Sequence, residues 1–125
     1  MTQTLLSVAL GGASGASARY LVNVTATRMM GHGFPYATLF VNVLGSLLMG
    51  VLVIVLAEKG GNRFAPFLMT GVLGGFTTFS AFSLDAVTLW ERGQSGLAAA
   101  YVLGTVIMTL GALFAGMTLA RGWFA

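Results

Sequence analysis

Charged residues are so sparse along the chain that four long, nearly uncharged stretches lie between them. They run from about Thr4 to Thr27, Ala37 to Ala57, Phe64 to Trp90 and Gly96 to Ala120. Each is long enough for a membrane-crossing helix, which needs roughly 20 predominantly apolar residues. The pattern predicts an all-α membrane protein: four transmembrane helices forming a single domain over residues 1–125. Turn chemistry falls where each helix must stop. Gly31, Gly33 and Pro35 lie between Arg28 and Tyr36, Glu58-Lys59-Gly60-Gly61-Asn62-Arg63 follows the second stretch, and Glu91-Arg92-Gly93-Gln94-Ser95 follows the third. Ala16-Ser17-Ala18 has the shape of a signal-peptidase site. However, the residues before it lack a basic start and Gly11-Gly12 breaks their apolar run, so the segment is expected to stay as the first helix.

Composition strengthens this picture. Of 125 residues, 57% are hydrophobic and 7% charged, and the mean hydropathy is +0.90, which excludes an ordinary water-soluble domain. The net charge of +3 comes from six scattered cations and three acids, too thin for the basic stripe of a nucleic-acid partner. With no cysteine and His32 as the only histidine, thiol nucleophiles, disulfides and zinc centres are absent. No enzyme activity is expected.

Orientation in a membrane normally follows the Lys/Arg bias of the loops. Here Lys59, Arg63 and Arg121 on one side oppose Arg28 and Arg92 on the other, with Arg19 inside the first helix. So near a balance permits insertion both ways; a weak bias fixed by other signals is the alternative. A four-helix bundle fills its centre with side chains, so a transport pathway calls for at least a dimer, in the antiparallel arrangement that dual insertion allows. Small residues four apart (Gly11/Gly15, Ser46/Gly50, Gly71/Gly75, Gly111/Ala115, Ala112/Gly116) let helices approach closely in lipid and read as packing.

The candidate chemistry centres on Gly74-Gly75-Phe76-Thr77-Thr78-Phe79-Ser80-Ala81-Phe82-Ser83 in the third stretch. Two glycines and two β-branched threonines favour a break in the helix. Backbone broken at membrane depth survives only where it is buried in protein, lines a cavity or binds an ion. Its carbonyls suit a small cation. A continuous helix with a packing glycine pair is the other reading of these residues. Beyond the break, Phe79 and Phe82 form an aromatic stripe beside the hydroxyls of Thr77, Ser80 and Ser83. Positively polarised ring edges and hydroxyl donors together suit a small anion, although lipid or core packing explains either ring taken alone.

Asn42 shares one face of the second helix with Gly45, Ser46, Met49 and Gly50, and needs a partner or water. Tyr101, Thr105 and Thr109 form an i, i+4, i+8 row on the fourth, where a threonine hydroxyl is also able to bond its own backbone. Arg19 sits about 22 Å along the first helix from Thr4. It has the reach to snorkel, to form an ion pair, or to draw anions into a pathway.

At these residues the chain resembles the Fluc fluoride channel family. The resemblance rests on Gly11-Gly12-x-x-Gly15 with Arg19-Tyr20, on Thr38-Leu39-x-Val41-Asn42-x-x-Gly45-Ser46-x-x-x-Gly50, and above all on Thr70-Gly71-x-x-Gly74-Gly75-Phe76-Thr77-Thr78-Phe79-Ser80-x-Phe82-Ser83. It implies a passive, fluoride-selective channel exporting fluoride across the bacterial plasma membrane, built as an antiparallel, dual-topology homodimer. It further implies that Phe79 and Phe82 line the pore, that Ser80, Ser83 and Thr109 belong to its hydroxyl track, and that Asn42 and Arg19 are its pore asparagine and vestibule arginine. Tyr101 matches a pore-facing position on the fourth helix. The backbone carbonyls of Gly74 and Thr77 would hold a structural sodium ion at the dimer interface. The chain departs from the family pattern at Ala81, usually Thr, at Asp85, usually Glu, and at Ala37, often Gly.

The runner-up reading is a proton-coupled cation exporter of the small multidrug-resistance type, which needs a buried carboxylate where the first helix offers only Arg19. A membrane assembly or lesion-forming protein without a selective pathway is a third. The helix break and the aligned polar faces argue against it.

Overall fold

A computed structural model describes residues 1–124. Helix α1 spans Thr2–Met30 and α2 spans Tyr36–Lys59. After a 3-10 turn at Asn62–Phe64, a π-wound segment, Pro66–Leu73, runs into the short α3, Gly74–Phe76. Then follow α4, Phe79–Glu91, and α5, Ser95–Phe124. No strand occurs among the described residues.

The turns fall where the glycines predict them. Gly31, Gly60 and Gly93 are the positive-φ residues. Gly60, in the left-handed conformation at φ 68°, closes α2 by donating to the Leu56 carbonyl, a position where a side chain would strain the backbone. Arg28, Lys59 and Arg121 occupy the last turns of α1, α2 and α5, where a cation offsets the negative end of the helix dipole.

Three spans are long and apolar enough to cross a membrane: Tyr36–Lys59, Asn62–Glu91 and Ser95–Phe124. The chain is therefore a multi-pass membrane protein. At 29 residues, α1 has the length, about 43 Å at 1.5 Å per residue, but its serines, threonines, Asn23 and Arg19 keep it less apolar than the others. The four stretches read from the sequence thus become four long helical units, three of which have the hydropathy of a span.

Close backbone contacts set their directions. Gly11 lies against Gly71, and Arg19, two turns on, reaches Gly75. Hence α1 runs parallel to the segment leading into the break. Likewise Gly50 approaches Met117 and Lys59 lies over the Phe124 ring, so α2 and α5 run parallel. The α4–α5 hairpin turns back at Gly93, and successive units alternate in direction. A methyl group added at Gly15 would run into the Val72 carbonyl, at Gly50 into that of Leu113, and at Gly116 into that of Leu47. Four of the five small-residue pairs therefore carry helix contacts. Gly111 meets no neighbour, which leaves the Gly111/Ala115 pair unused within the protomer.

The π winding is a feature that the sequence reading lacked. Pro66 opens it, where a missing N–H leaves no bond unmade, and Gly71 packs directly on Gly11 of α1. A core cluster of Phe82, Leu89, Ala98 and Tyr101 lies on the far side of the break. Large apolar side chains such as Leu10, Ile107, Phe114 and Trp123 are exposed, as lipid-facing positions are in a membrane protein.

Candidate functional site

The helix is broken where the two threonines stand. Thr77 (φ −89°, ψ 159°) and Thr78 (φ −155°, ψ 123°) are extended between α3 and α4, which excludes the continuous-helix reading. Side chains from two helices, and the hydroxyl of Thr78 itself, meet the exposed backbone. Asn42 holds both polar groups of Thr78: its Oδ1 accepts the Thr78 N–H at 2.8 Å and its Nδ2 donates to the Thr78 carbonyl at 2.9 Å. Arg19 Nε donates to the Gly75 carbonyl at 2.9 Å. Thr78 Oγ1 caps α4 by accepting the Ala81 N–H at 3.1 Å, a bond of about 1 kcal/mol.

Several carbonyls lose their helical donors as a consequence, those of Gly74 and Thr77 among them. In an unbroken helix Gly74 would receive the Thr78 N–H and Thr77 the Ala81 N–H, yet Asn42 and the Thr78 hydroxyl take those donors. Among the described residues no group of three or more His, Asp or Glu side chains is placed to hold a metal.

Beside the break lies a cavity of about 310 Å³ whose lining includes Asn42, Thr77, Phe79, Phe82, Thr105 and Thr109. The two phenylalanine rings meet edge to face, with centroids 5.4 Å apart and planes at 63°. They are not equivalent: Phe79 is 77% exposed and Phe82 only 7%. Behind Phe82, Tyr101 is fully buried between the rings of Phe82 and Phe34, and its hydroxyl donates to Asp85 at 3.2 Å. On the other side of Thr78, a narrow pocket of about 30 Å³ is lined by Arg19, Asn23, Thr38 and Ala81. It shares Asn23, Ala37 and Thr38 with a wider cavity of about 230 Å³ at the end of the molecule that carries the turn at 31–35.

The residues read from the sequence thus fall into two groups. Asn42, Thr77, Phe79, Phe82 and Thr109 come together in the central cavity, whereas Arg19 lies beyond Thr78. Tyr101 sits in the core behind Phe82, and Ser80 and Ser83 are exposed on α4.

Several details depart from expectation. The Thr77 hydroxyl lies at the break and bonds back to the Leu73 carbonyl at 2.9 Å, so the expected hydroxyl stripe keeps only Ser80 and Ser83 on α4. Ser83 donates to Phe79 O at 3.0 Å, and Thr109 to Thr105 O at 2.7 Å. Each must rotate to offer its proton to a ligand. Arg19 neither snorkels nor pairs with an acid, because the carbonyl that the break frees at Gly75 lies within its reach. Thr105, in the middle of the α5 row, has a buried hydroxyl without a partner. Thr78, the hub of the arrangement, carried one sequence signal, a Thr immediately before a resumed helix.

Residues 6–117 match the family model described as "CrcB-like protein, Camphor Resistance (CrcB)". The chain belongs to the CrcB-like family. Among similar proteins, one from Cereibacter sphaeroides is 69% identical over 125 residues, covering all of both chains. Another, from Paracoccus denitrificans, is 58% identical over the same full length, and one from a Ruegeria species is 57% identical over 98% of both. All three relatives carry the name fluoride-specific ion channel FluC. The matched region includes the break, the Asn42 and Arg19 contacts and the central cavity of this CrcB-like chain.

Proposed function

We propose that this protein is a passive fluoride-selective channel, not an enzyme, that exports fluoride across the bacterial plasma membrane and so relieves fluoride toxicity. The observation that carries the reading is the central cavity, where an edge-to-face phenylalanine pair stands beside the unpartnered Thr105 hydroxyl and a helix break. Ring edges and hydroxyl donors replace the water of a small, hard anion. The names carried by full-length relatives support the same conclusion.

The working unit is an antiparallel homodimer in which α1 serves as the fourth span and both insertion directions occur. The support is the balanced loop charge together with Phe79, Ser80 and Ser83, which a single protomer leaves exposed. Phe79 and Phe82 present ring edges, while Ser80, Ser83 and Thr109 donate hydroxyls along the pore. Tyr101 orders the ring of Phe82 from behind. Asn42 fixes the Thr78 backbone at the pore, and Arg19 brings a positive charge to the break.

The freed carbonyls of Gly74 and Thr77 suit a structural sodium ion, since unwound carbonyls bind such hard cations and two copies would supply four oxygens. Bound there, sodium would neutralise the carbonyl dipoles that the break exposes.

Efflux from liposomes tests the function. Purified protein should release fluoride and retain chloride. Proton-coupled release of an organic cation would favour an exporter instead, and release of both halides would indicate an unselective lesion.

A further inference from the structure

Opposite the turn at 31–35, all three apolar spans have an end: Tyr36–Lys59 stops there, Asn62–Glu91 starts there and Ser95–Phe124 stops there. Each brings a cation. Lys59 closes α2, Arg63 lies in the 3-10 turn and Arg121 in the last turn of α5. Lys59 Nζ stands 5.7 Å from the centroid of the Phe124 ring, which ties the ends of α2 and α5 together, and the Arg63 guanidinium stands 4.8 Å from that of Phe64. Glu58 is the one acidic side chain at this end; Asp85 and Glu91 belong to the opposite half. Beside the cations Phe64 is half exposed and Trp123 is 85% exposed.

We infer that this cluster is a docking surface for the headgroup of an anionic phospholipid. It needs only that the chain crosses a membrane, not that it conducts. Three cations against one acid leave these side chains net positive where the spans leave the hydrocarbon, which is the depth of the lipid phosphates. A guanidinium fork matches the oxygens of a phosphodiester, and the ammonium adds a point charge. A zwitterionic headgroup carries its own cation, which the cluster repels; an anionic headgroup carries none. Juxtamembrane lysines and arginines gain from anionic lipid in this way. The exposed rings of Phe64 and Trp123 suit the glycerol and upper chain region of the same lipid, because aromatic side chains favour the membrane interface. A soluble anion would gain nothing from those rings, so the geometry favours a lipid. In the proposed antiparallel homodimer one such surface meets each leaflet.

Tryptophan fluorescence tests this on the full-length protein. The chain has two tryptophans, and Trp90 lies near the end of α4, at the opposite end from Trp123. Trp90→Phe therefore leaves an indole that reports on the cluster alone. In phosphatidylcholine vesicles, brominated phosphatidylglycerol should quench Trp123 with a relative binding constant about five-fold above that of brominated phosphatidylcholine. Replacing Lys59, Arg63 and Arg121 together by Gln should bring the ratio to about one without changing the melting temperature in detergent. Arg63→Gln alone should lower the ratio about two-fold, which keeps the surface testable if the triple variant fails to insert. Trp123→Phe, which reports from Trp90 instead, should give a ratio of about two or less. Glycerol phosphate in the buffer should leave the quenching of Trp123 unchanged. A ratio near one at Trp123 overturns the docking surface, as does an equal ratio at Trp90 or a ratio that survives loss of the cations. Relief of quenching by glycerol phosphate would make a free phosphate ester the ligand and overturn the lipid assignment.

Discussion

At the scale of single residues, the division of labour around Thr78 separates side chains that build the site from those that meet the ion. Asn42 spends both ends of its amide on the Thr78 backbone. Asn42→Leu leaves two partly buried polar groups unpaired and should destabilise the fold by about 2–4 kcal/mol. Asn42→Asp, which keeps the acceptor, should cost less; thermal melting in detergent would rank the two. Phe79 is the cleaner probe of the aromatic stripe because it is exposed, whereas Phe82 also packs on Tyr101. Phe79→Ile should leave melting unchanged and cut fluoride efflux at least about ten-fold, because the positive ring edge is lost while the bulk remains. Thr105→Val removes a buried hydroxyl that has no partner, so stability should hold or rise by about 1 kcal/mol while efflux falls. Parent efflux in both variants would reduce the stripe and the hydroxyl to packing.

At the scale of elements, helices approach to backbone contact at several glycines. Gly15 and Gly50 touch the carbonyls of Val72 and Leu113, so Gly15→Ala or Gly50→Ala must push two helices apart. Overpacking of this kind costs about 1–3 kcal/mol. Gly15→Ala also shifts the segment that carries the break, and should therefore lower efflux as well as the melting temperature. Gly111→Ala adds its methyl to open space within the protomer and should leave the protomer fold intact. Melting and efflux measured on the three variants check the packing scheme, and equal effects at all three positions would contradict it.

At the scale of the whole molecule, units alternate in direction, and the cations divide almost evenly between the two ends. Nothing in the loop charges then selects one orientation. A single cysteine at Gln94, in a chain with none of its own, should be labelled from both faces of oriented vesicles. Labelling from one face only would mean a single topology. Three lysines added to one set of loops should bias insertion and lower efflux in proportion to the dimers lost.

How much of this was legible in the amino-acid order depends on how far each cause reaches along the chain. Spans, turns and the break arise from neighbouring residues: runs of apolar side chains, glycines at positive φ, and Gly-Gly followed by paired threonines. These could be read directly. The partners of the break could not, because Asn42 lies 36 residues from Thr78 and Arg19 lies 56 from Gly75. Sequence spacing marks both as polar groups in need of partners without saying which. The unequal exposure of Phe79 and Phe82, the inward turn of the Ser83 and Thr109 hydroxyls, the π winding and the lone hydroxyl of Thr105 likewise depend on what packs against each helix. The local sequence alone therefore determined where the helix breaks. The tertiary structure decided which backbone groups the break leaves free, because side chains brought in from distant helices satisfy some of them and pass over the carbonyls of Gly74 and Thr77.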